Sequence, residues 1–586
     1  MLFVVRTATT LHRLLDAAPA LAGDRRIRPY VTLVPGSEFD ADALAALEGL
    51  RALQLPWDEA RRRPFALVLA ASARGALHLL RGPLALLPHG AGFGKRMPAR
   101  SGGGPPREDG RDPANGLHPE QLLRPDGRAL AALHALAHPS QLDRLAAHSP
   151  RAAAPAAVVG DPTLDRMLES LPRRERYRQT LGTGRRRLVV AVSTWGEESL
   201  LEQRPQLPLR LATELPHDAY QTALVLHPNE HARKERFGIR QDFTPERRAG
   251  MLLPRPYEEW AALLVAADCV ISDHGSTALY AAALGLPVVS ACEGGSELLG
   301  GTPMAELMEG APRLDERTPY EEQMERVLAG HRTATVRQAA AGAFARPGDA
   351  LPRLREHLYG LLGLAPPRVP AEPEPLPLPH DVARRSPAPW AFAVDVALAD
   401  APAHTVPQER AGALPTVRVV RRPVSGRPGD HLAAEADWAG LRHVQSAGLL
   451  YRHMRQESPA GETAAGGAPT GRASAEEASA AEWSADVLAR YPGCRTAAAL
   501  LGRYRCVVRV RGCGLLHVRI EPEGAPPDPV AVVCGVHAWL AKWRGPVRSG
   551  QRVLCGVGGQ RAVAVLSPVE NLTPAGDAVD VSSQWS

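Results

Sequence analysis

Residues 269–285 read CVISDHGSTALYAAALG. An apolar run ends in Ser272-Asp273-His274-Gly275-Ser276-Thr277, and an Ala/Leu-rich helical pattern follows. A strand that stops at a small polar turn and then opens a helix leaves backbone N–H groups pointing into open space. That is a ready anion site, suited to the phosphates of a nucleotide-linked donor. Gly275 permits close backbone approach, and Ser276 and Thr277 can donate hydroxyls. Asp273 is a poor direct phosphate ligand; it fixes the turn or meets a ribose or base. A plain helix N-cap is the alternative reading of the same residues.

Working outward, other apolar runs end in polar residues too. Residues 84–87 run into Pro88-His89-Gly90, and residues 223–226 run into His227-Pro228. Residues 187–192 end in Ser193-Thr194-Trp195-Gly196. Strand ends carrying polar residues point to one cleft lined by strand C-termini, where open α/β sheets bind ligands. His89 after a buried strand can accept a proton from an attacking hydroxyl near neutral pH, or bond to backbone in its loop. Ser193 and Thr194 hold a diphosphate or cap a helix. Proline cannot continue a sheet ladder, so His227 sits at the rim.

The chain has 586 residues, too many for one core. Its net charge of +6 is mild, and the positive charge is almost all arginine, lysine occurring only at Lys95, Lys234 and Lys542. No dense basic run interleaved with aromatics argues for nucleic acid. The seven cysteines are odd in number and lack zinc-knuckle or C-x-x-C spacing, which fits reduced thiols in a cytoplasmic protein. The N-terminus shows neither a charged n-region nor a long apolar h-region, and no transmembrane helix is expected.

Short apolar runs at residues 2–5, 30–34, 65–70 and 84–87 alternate with helical patterns, implying βαβ units and a parallel sheet. A Gly/Pro-rich insert, SGGGPPREDG, lies between Met97 and Leu117, and a helix is expected over residues 128–147. A second alternation, with strands near 156–159, 187–192, 223–226, 251–253, 269–271 and 287–291, suggests a six-stranded sheet closed by helices over 319–364. Residues 366–389, PPRVPAEPEPLPLPHDVARRSPAP, read as a semi-rigid linker, and residues 457–482 as disordered. Beyond them, residues 503–520, 530–533 and 551–566 alternate as strands do. The expected organisation is an N-terminal Rossmann-like domain (1–155), a C-terminal Rossmann-like domain (156–365), a Pro-rich linker (366–410) and an α/β domain rich in β structure (411–586).

Two suggestive motifs fail. Gly94-Lys95 after a strand invites a P-loop, but His89 stands where the first glycine belongs and Arg96 where Ser or Thr must hold magnesium. His134 and His138 lie four apart on the expected helix, but no glutamate follows His134 and no third ligand is in view. No metal ligand set is expected and no cofactor is required, although Mg2+ can accompany a donor diphosphate.

Taken in order, these segments resemble the CDP-glycerol glycerophosphotransferase family, the teichoic-acid primases and polymerases. That family carries a His-Gly element, a strand ending in Pro-Thr-Trp, a histidine after a later strand, and an Asp-Tyr-Ser-Ser element. The counterparts here are His89-Gly90, Ser193-Thr194-Trp195, His227 and Asp273-His274-Gly275-Ser276, spread over roughly residues 80–295. The resemblance implies a GT-B fold: two Rossmann-like domains around a cleft, the nucleotide held by the second. It implies His89 as general base for an acceptor hydroxyl and His227 as stabiliser of the donor phosphate. It also implies that Ser276, with the N–H groups around Gly275, cradles the diphosphate, with Gly90, Asp273 and His274 in the cleft. The implied reaction is attack on the donor's β-phosphate with release of CMP.

The chain departs from the family at His274 and Gly275, which replace Tyr and Ser, at Ala91, where Thr is usual, and at Gly196, where a basic residue is usual. These departures leave the donor nucleotide and the acceptor open. The leading expectation is a cytoplasmic GT-B transferase using a CDP-glycerol-like donor, with peripheral membrane contact allowed. Its rivals are a UDP-sugar glycosyltransferase or 2-epimerase of the same fold, and a non-catalytic nucleotide-binding protein.

Overall fold

The computed structural model describes residues 1–36, 40–88, 90–96, 114–255, 259–293, 295–380, 382, 388–399, 414–425, 427–454 and 470–569. The expected catalytic His89, most of the Gly/Pro-rich insert, and parts of the expected linker and disordered segment lie outside the described residues. The chain divides into two compact units: Met1–Leu215 with Tyr220–Ala388, and Pro216–Ala219 with Pro389–Ser586.

The first unit holds two parallel sheets. The strands β1 (Leu2–Val5), β2 (Tyr30–Leu33), β3 (Val68–Ala70), β4 (Leu84–Leu86), β5 (Leu133–Leu136) and β6 (Ala156–Val158) form the first, in the order β2-β1-β3-β4-β5-β6. The second contains β7 (Arg187–Ser193), β8 (Tyr220–Leu226), β9 (Cys269–Ser272) and β10 (Val288–Ser290), in the order β10-β9-β7-β8. Their sequences are predominantly apolar because both faces are covered, as β8 shows with every residue buried. Each sheet has its first strand between its second and third. The strand order therefore reverses beside β1 and again beside β7, leaving a crevice at each strand C-terminus. This is the GT-B-like architecture of two Rossmann-like lobes.

Several boundaries differ from expectation. Ala156–Val158, expected in the second sheet, pairs with β5 and closes the first. Residues 251–253 supply only a bridge from Leu252 to Ala223. The helix Ala350–Leu362 does not close the second lobe; Leu351, Leu354 and Leu358 share a buried cluster with Val5, Leu11 and Leu14 of the first. Residues 366–380 are not a free spacer, since Ala371 and Leu376 are buried in the two lobes' cores. The expected helix over 128–147 is instead β5 followed by the helix Pro139–His148. His134 therefore sits in a buried strand and His138 caps the helix, so they do not share a helical face.

The second unit is a closed nine-stranded barrel: β11 (Ala391–Ala399), β12 (Thr416–Pro423), β13 (His431–Glu435), β14 (Leu449–His453), β15 (Thr496–Leu500), β16 (Arg505–Val510), β17 (Gly514–Pro522), β18 (Gln551–Val557) and β19 (Gln560–Pro568). Residues 530–533, expected as a strand, belong to the helix Pro529–Lys542. That helix is apolar but for His537 and Lys542, because it packs with the inward side chains of the barrel strands in one cluster. Part of the segment expected to be disordered forms the helix Thr470–Arg490, whose Trp483 and Val487 cover the barrel's outer side chains.

Inside the barrel the guanidinium of Arg421, fully buried, donates to Asp218 (2.6 and 2.9 Å) and Asp528 (2.7 Å) and lies over the Phe392 ring. The rings of His431 and His537 meet at a tilt of 54°, their centroids 4.5 Å apart, and His537 Nδ1 is 2.8 Å from Thr496 Oγ1. Burial pushes their pKa values down, to about 4 for His431 and about 3 for His537. Both stay neutral in the fold while the unfolded chain takes up protons below about pH 6.5. Stability should therefore fall as pH drops from 6.5 towards 4, by roughly 1.4 kcal/mol per pH unit for each histidine. Calorimetry of the whole chain should show the barrel transition moving down over this window, and His537→Gln should flatten that slope.

Candidate functional site

The site is built at the switch point of the second sheet, where the ends of β7 and β9 lie side by side. Asp273, fully buried just past β9, ties them together. Its Oδ2 accepts from Thr194 N (2.7 Å), Thr194 Oγ1 (2.9 Å) and Leu200 N (2.9 Å), and its Oδ1 accepts from Gly275 N (3.0 Å). Of the roles expected for Asp273, the structure uses it to fix the turn. Ser193 and Thr194 reach the cleft wall, but their hydroxyls are engaged: Ser193 Oγ donates to Thr194 O and accepts from Leu201 N. Both hydroxyls thus support the turn.

The helix Thr277–Leu284 opens from this turn with no side-chain cap, because Ser276 does not bond back to it. Ser276 and Thr277 line the cleft, half-buried. Gly275 is required by packing: a Cβ there would lie 2.6 Å from Thr194 Cγ2. From the first lobe, Gly90 approaches the same place, where an added Cβ would be 3.5 Å from Ser276 Oγ.

His227 caps the helix Pro228–Asp242, its Nδ1 accepting from Asn229 N at 3.1 Å. His118 and His138 do the same work before Pro119 and Pro139, so the His-Pro pair is a helix start wherever the chain uses it here. Capping fixes the tautomer: with Nδ1 accepting, the proton sits on Nε2, which becomes a donor. His227 differs from the other two in lining the cleft, with its ring 6.2 Å from that of Trp195, which is 40% exposed.

The cleft measures about 1140 Å³. Both switch points open onto it: Arg6, Thr7 and Ser72 follow β1 and β3, facing Thr194 and Gly275. Arg6, Arg13, Arg74, Lys95, Arg166 and Arg255 line it, against Asp16 and Glu374. Below it the lobes are stitched by Arg13, which donates to Tyr280 Oη (2.7 Å), and by Tyr280, which donates to Asp161 (2.7 Å).

One cluster escaped the sequence reading. Glu297 Oε2 stands 2.9 Å from Lys95 Nζ and 3.3 Å from His274 Nε2. Burial raises the Glu297 carboxyl, but Lys95 and His274 outweigh it and hold it below the usual range. The neighbouring backbone closes a two-lobe clasp: Arg96 N donates to Glu297 O and Leu299 N to Gly94 O, both at 2.8 Å. Nothing in the spacing of 95, 274 and 297 announces this contact, which needs both lobes in place.

No protein-family model matches the chain, and no curated protein matches it. Among solved structures the chain is similar to the wall teichoic acid polymerase TagF, at 11% identity and TM-score 0.43, over 62% of this chain and 89% of that one. It is also similar to the UDP-GlcNAc 2-epimerase from Neisseria meningitidis, solved with UDP-GlcNAc (13%, 0.32, 61% and 99%). A third is Anabaena Alr3699/HepE in complex with UDP (16%, 0.34, 62% and 99%). The architecture assigned above rests on the sheets themselves.

Gly275→Ala should destabilise the protein by about 1–3 kcal/mol, as overpacking does. Adding Thr194→Ser, which removes Cγ2 and keeps the hydroxyl, should recover part of that loss in a double-mutant cycle read by urea unfolding. Simple additivity would show that the Thr194 contact does not fix the glycine.

Proposed function

We propose that the protein is a transferase using a nucleotide-diphosphate-linked donor, with a CDP-glycerol-like compound as the best match. One observation carries this reading: an uncapped helix N-terminus, Ser276 and the capping His227 line one cation-rich cleft between two switch points. Partial charge at a helix start and a cationic wall both favour a diphosphate. A cleft of about 1140 Å³ can take a nucleotide together with an acceptor.

In this reading the Nε2–H of His227 donates to a phosphate oxygen, and the Ser276 hydroxyl and turn amides hold the diphosphate. Trp195 offers an aromatic face for the base or acceptor. His89, next in sequence to the cleft-lining Pro88 and Gly90, takes the proton from the acceptor hydroxyl. A bond forms between the acceptor oxygen and the β-phosphorus. The bond from that phosphorus to the CMP oxygen breaks, and its electron pair leaves with CMP. Charge stabilisation by donors already in place lowers the barrier. Mg2+ would accompany the donor's diphosphate.

Thermal shift tests the donor site with CDP-glycerol, CDP, CMP, UDP, UDP-sugars and GDP. A ligand at 100 times its Kd stabilises its binding unit by about 2.7 kcal/mol. A cytidine-selective shift is expected, lost in the Ser276→Ala, His227→Ala double variant. His89→Ala should keep that shift and lose turnover. A uridine-selective shift would replace the donor by a UDP-sugar, and no shift with any nucleotide would overturn the donor site.

A further inference from the structure

Glu198, His274 and Glu297 come from three separate segments: the loop after β7, the turn after β9 and the stretch after β10. Each offers one ligand atom, and these atoms all lie within 4.8 Å of one another. Metal–ligand bonds of about 2.0–2.2 Å place neighbouring ligand atoms roughly 3–4.4 Å apart, so the set is close to closing on an ion.

The groups are held in place. Glu198 Oε1 accepts from Ser296 N (2.6 Å) and Ser296 Oγ (2.7 Å), and Oε2 from Glu297 N (3.0 Å). The His274 side chain is 1% exposed, and its Nε2 faces Glu297 Oε2 at 3.3 Å. Two carboxylates this close demand positive charge. Lys95 supplies one unit, at 2.9 Å from Glu297.

We infer that Glu198, His274 and Glu297 form a binding site for a divalent transition-metal ion at the edge of the cleft. One imidazole with two carboxylates suits Mn2+, Co2+ or Zn2+ better than Ca2+ or Mg2+, which favour all-oxygen shells. The Lys95 ammonium competes with the ion for Glu297. Metal binding itself does not depend on the donor; only the ion's place beside a diphosphate rests on the donor reading, since His274 adjoins Gly275 and Ser276 on the same turn.

The test uses the full chain without nucleotide. Mn2+ is titrated and the free ion followed by electron paramagnetic resonance; Zn2+ and Mg2+ are titrated by calorimetry. One saturable Mn2+ site per chain is expected, with Zn2+ binding at least tenfold tighter than Mg2+. Glu198→Gln, Glu297→Gln and His274→Ala should each weaken binding at least tenfold, and Lys95→Met should tighten it several-fold. Absence of a saturable site in the wild type would overturn the assignment. So would a site indifferent to Glu198→Gln and Glu297→Gln, or one weakened by Lys95→Met. His274 is buried and its variant requires a circular-dichroism check of folding. The two glutamate variants and Lys95→Met decide the outcome without it.

Discussion

The site depends on one buried carboxylate. Asp273 is fully buried and gathers four donors from the ends of two adjacent strands and the start of the helix Leu200–Gln203. A buried charge is tolerable only when hydrogen-bonded in this way. Once it is, the loops after β7 and β9 have little freedom. Thr194 is drawn against Gly275, which leaves room only for hydrogen at that position. The turn amide nearest Asp273 is consumed inside, while Ser276 and Thr277 line the cleft at the start of an uncapped helix.

That turn faces the first lobe because the two lobes are locked at two levels. Arg13, Tyr280 and Asp161 join them beneath the cleft through buried charge-assisted bonds, which are stronger than neutral ones. At the rim, the stretch Gly90–Arg96 pairs with Glu297 and Leu299 through backbone bonds and the Lys95–Glu297 ion pair. Gly90 is thereby brought against Ser276.

Much of this was legible in the residues. The runs at 188–192 and 269–271 are uninterrupted apolar stretches ending in small polar residues, and both became central strands at the switch point. What stayed illegible had physical causes. Ala156–Val158 is a short apolar run whose sheet membership depends on which lobe it meets, not on its own pattern. Residues 530–533, in the helix Pro529–Lys542, read as strand because a helix enclosed by a barrel has no broad polar face to give a 3.6-residue period. That the hydroxyls of Ser193 and Thr194 bond within the turn was not legible, because side-chain direction is not written in spacing. His227 follows its strand as expected, but its capping of the helix Pro228–Asp242 is seen only in the structure. The Glu198, His274 and Glu297 cluster joins residues from three loops, beyond the reach of any local motif.

The most direct measurement is a crystal structure of the wild-type chain with CDP bound. The diphosphate should lie against the Ser276 and Thr277 amides and Ser276 Oγ, with His227 Nε2 within hydrogen-bond distance. Asp273 should keep its bonds to Thr194, Leu200 and Gly275. A nucleotide seated elsewhere, or Asp273 released from Thr194 to contact the ligand itself, would contradict a site organised by that carboxylate.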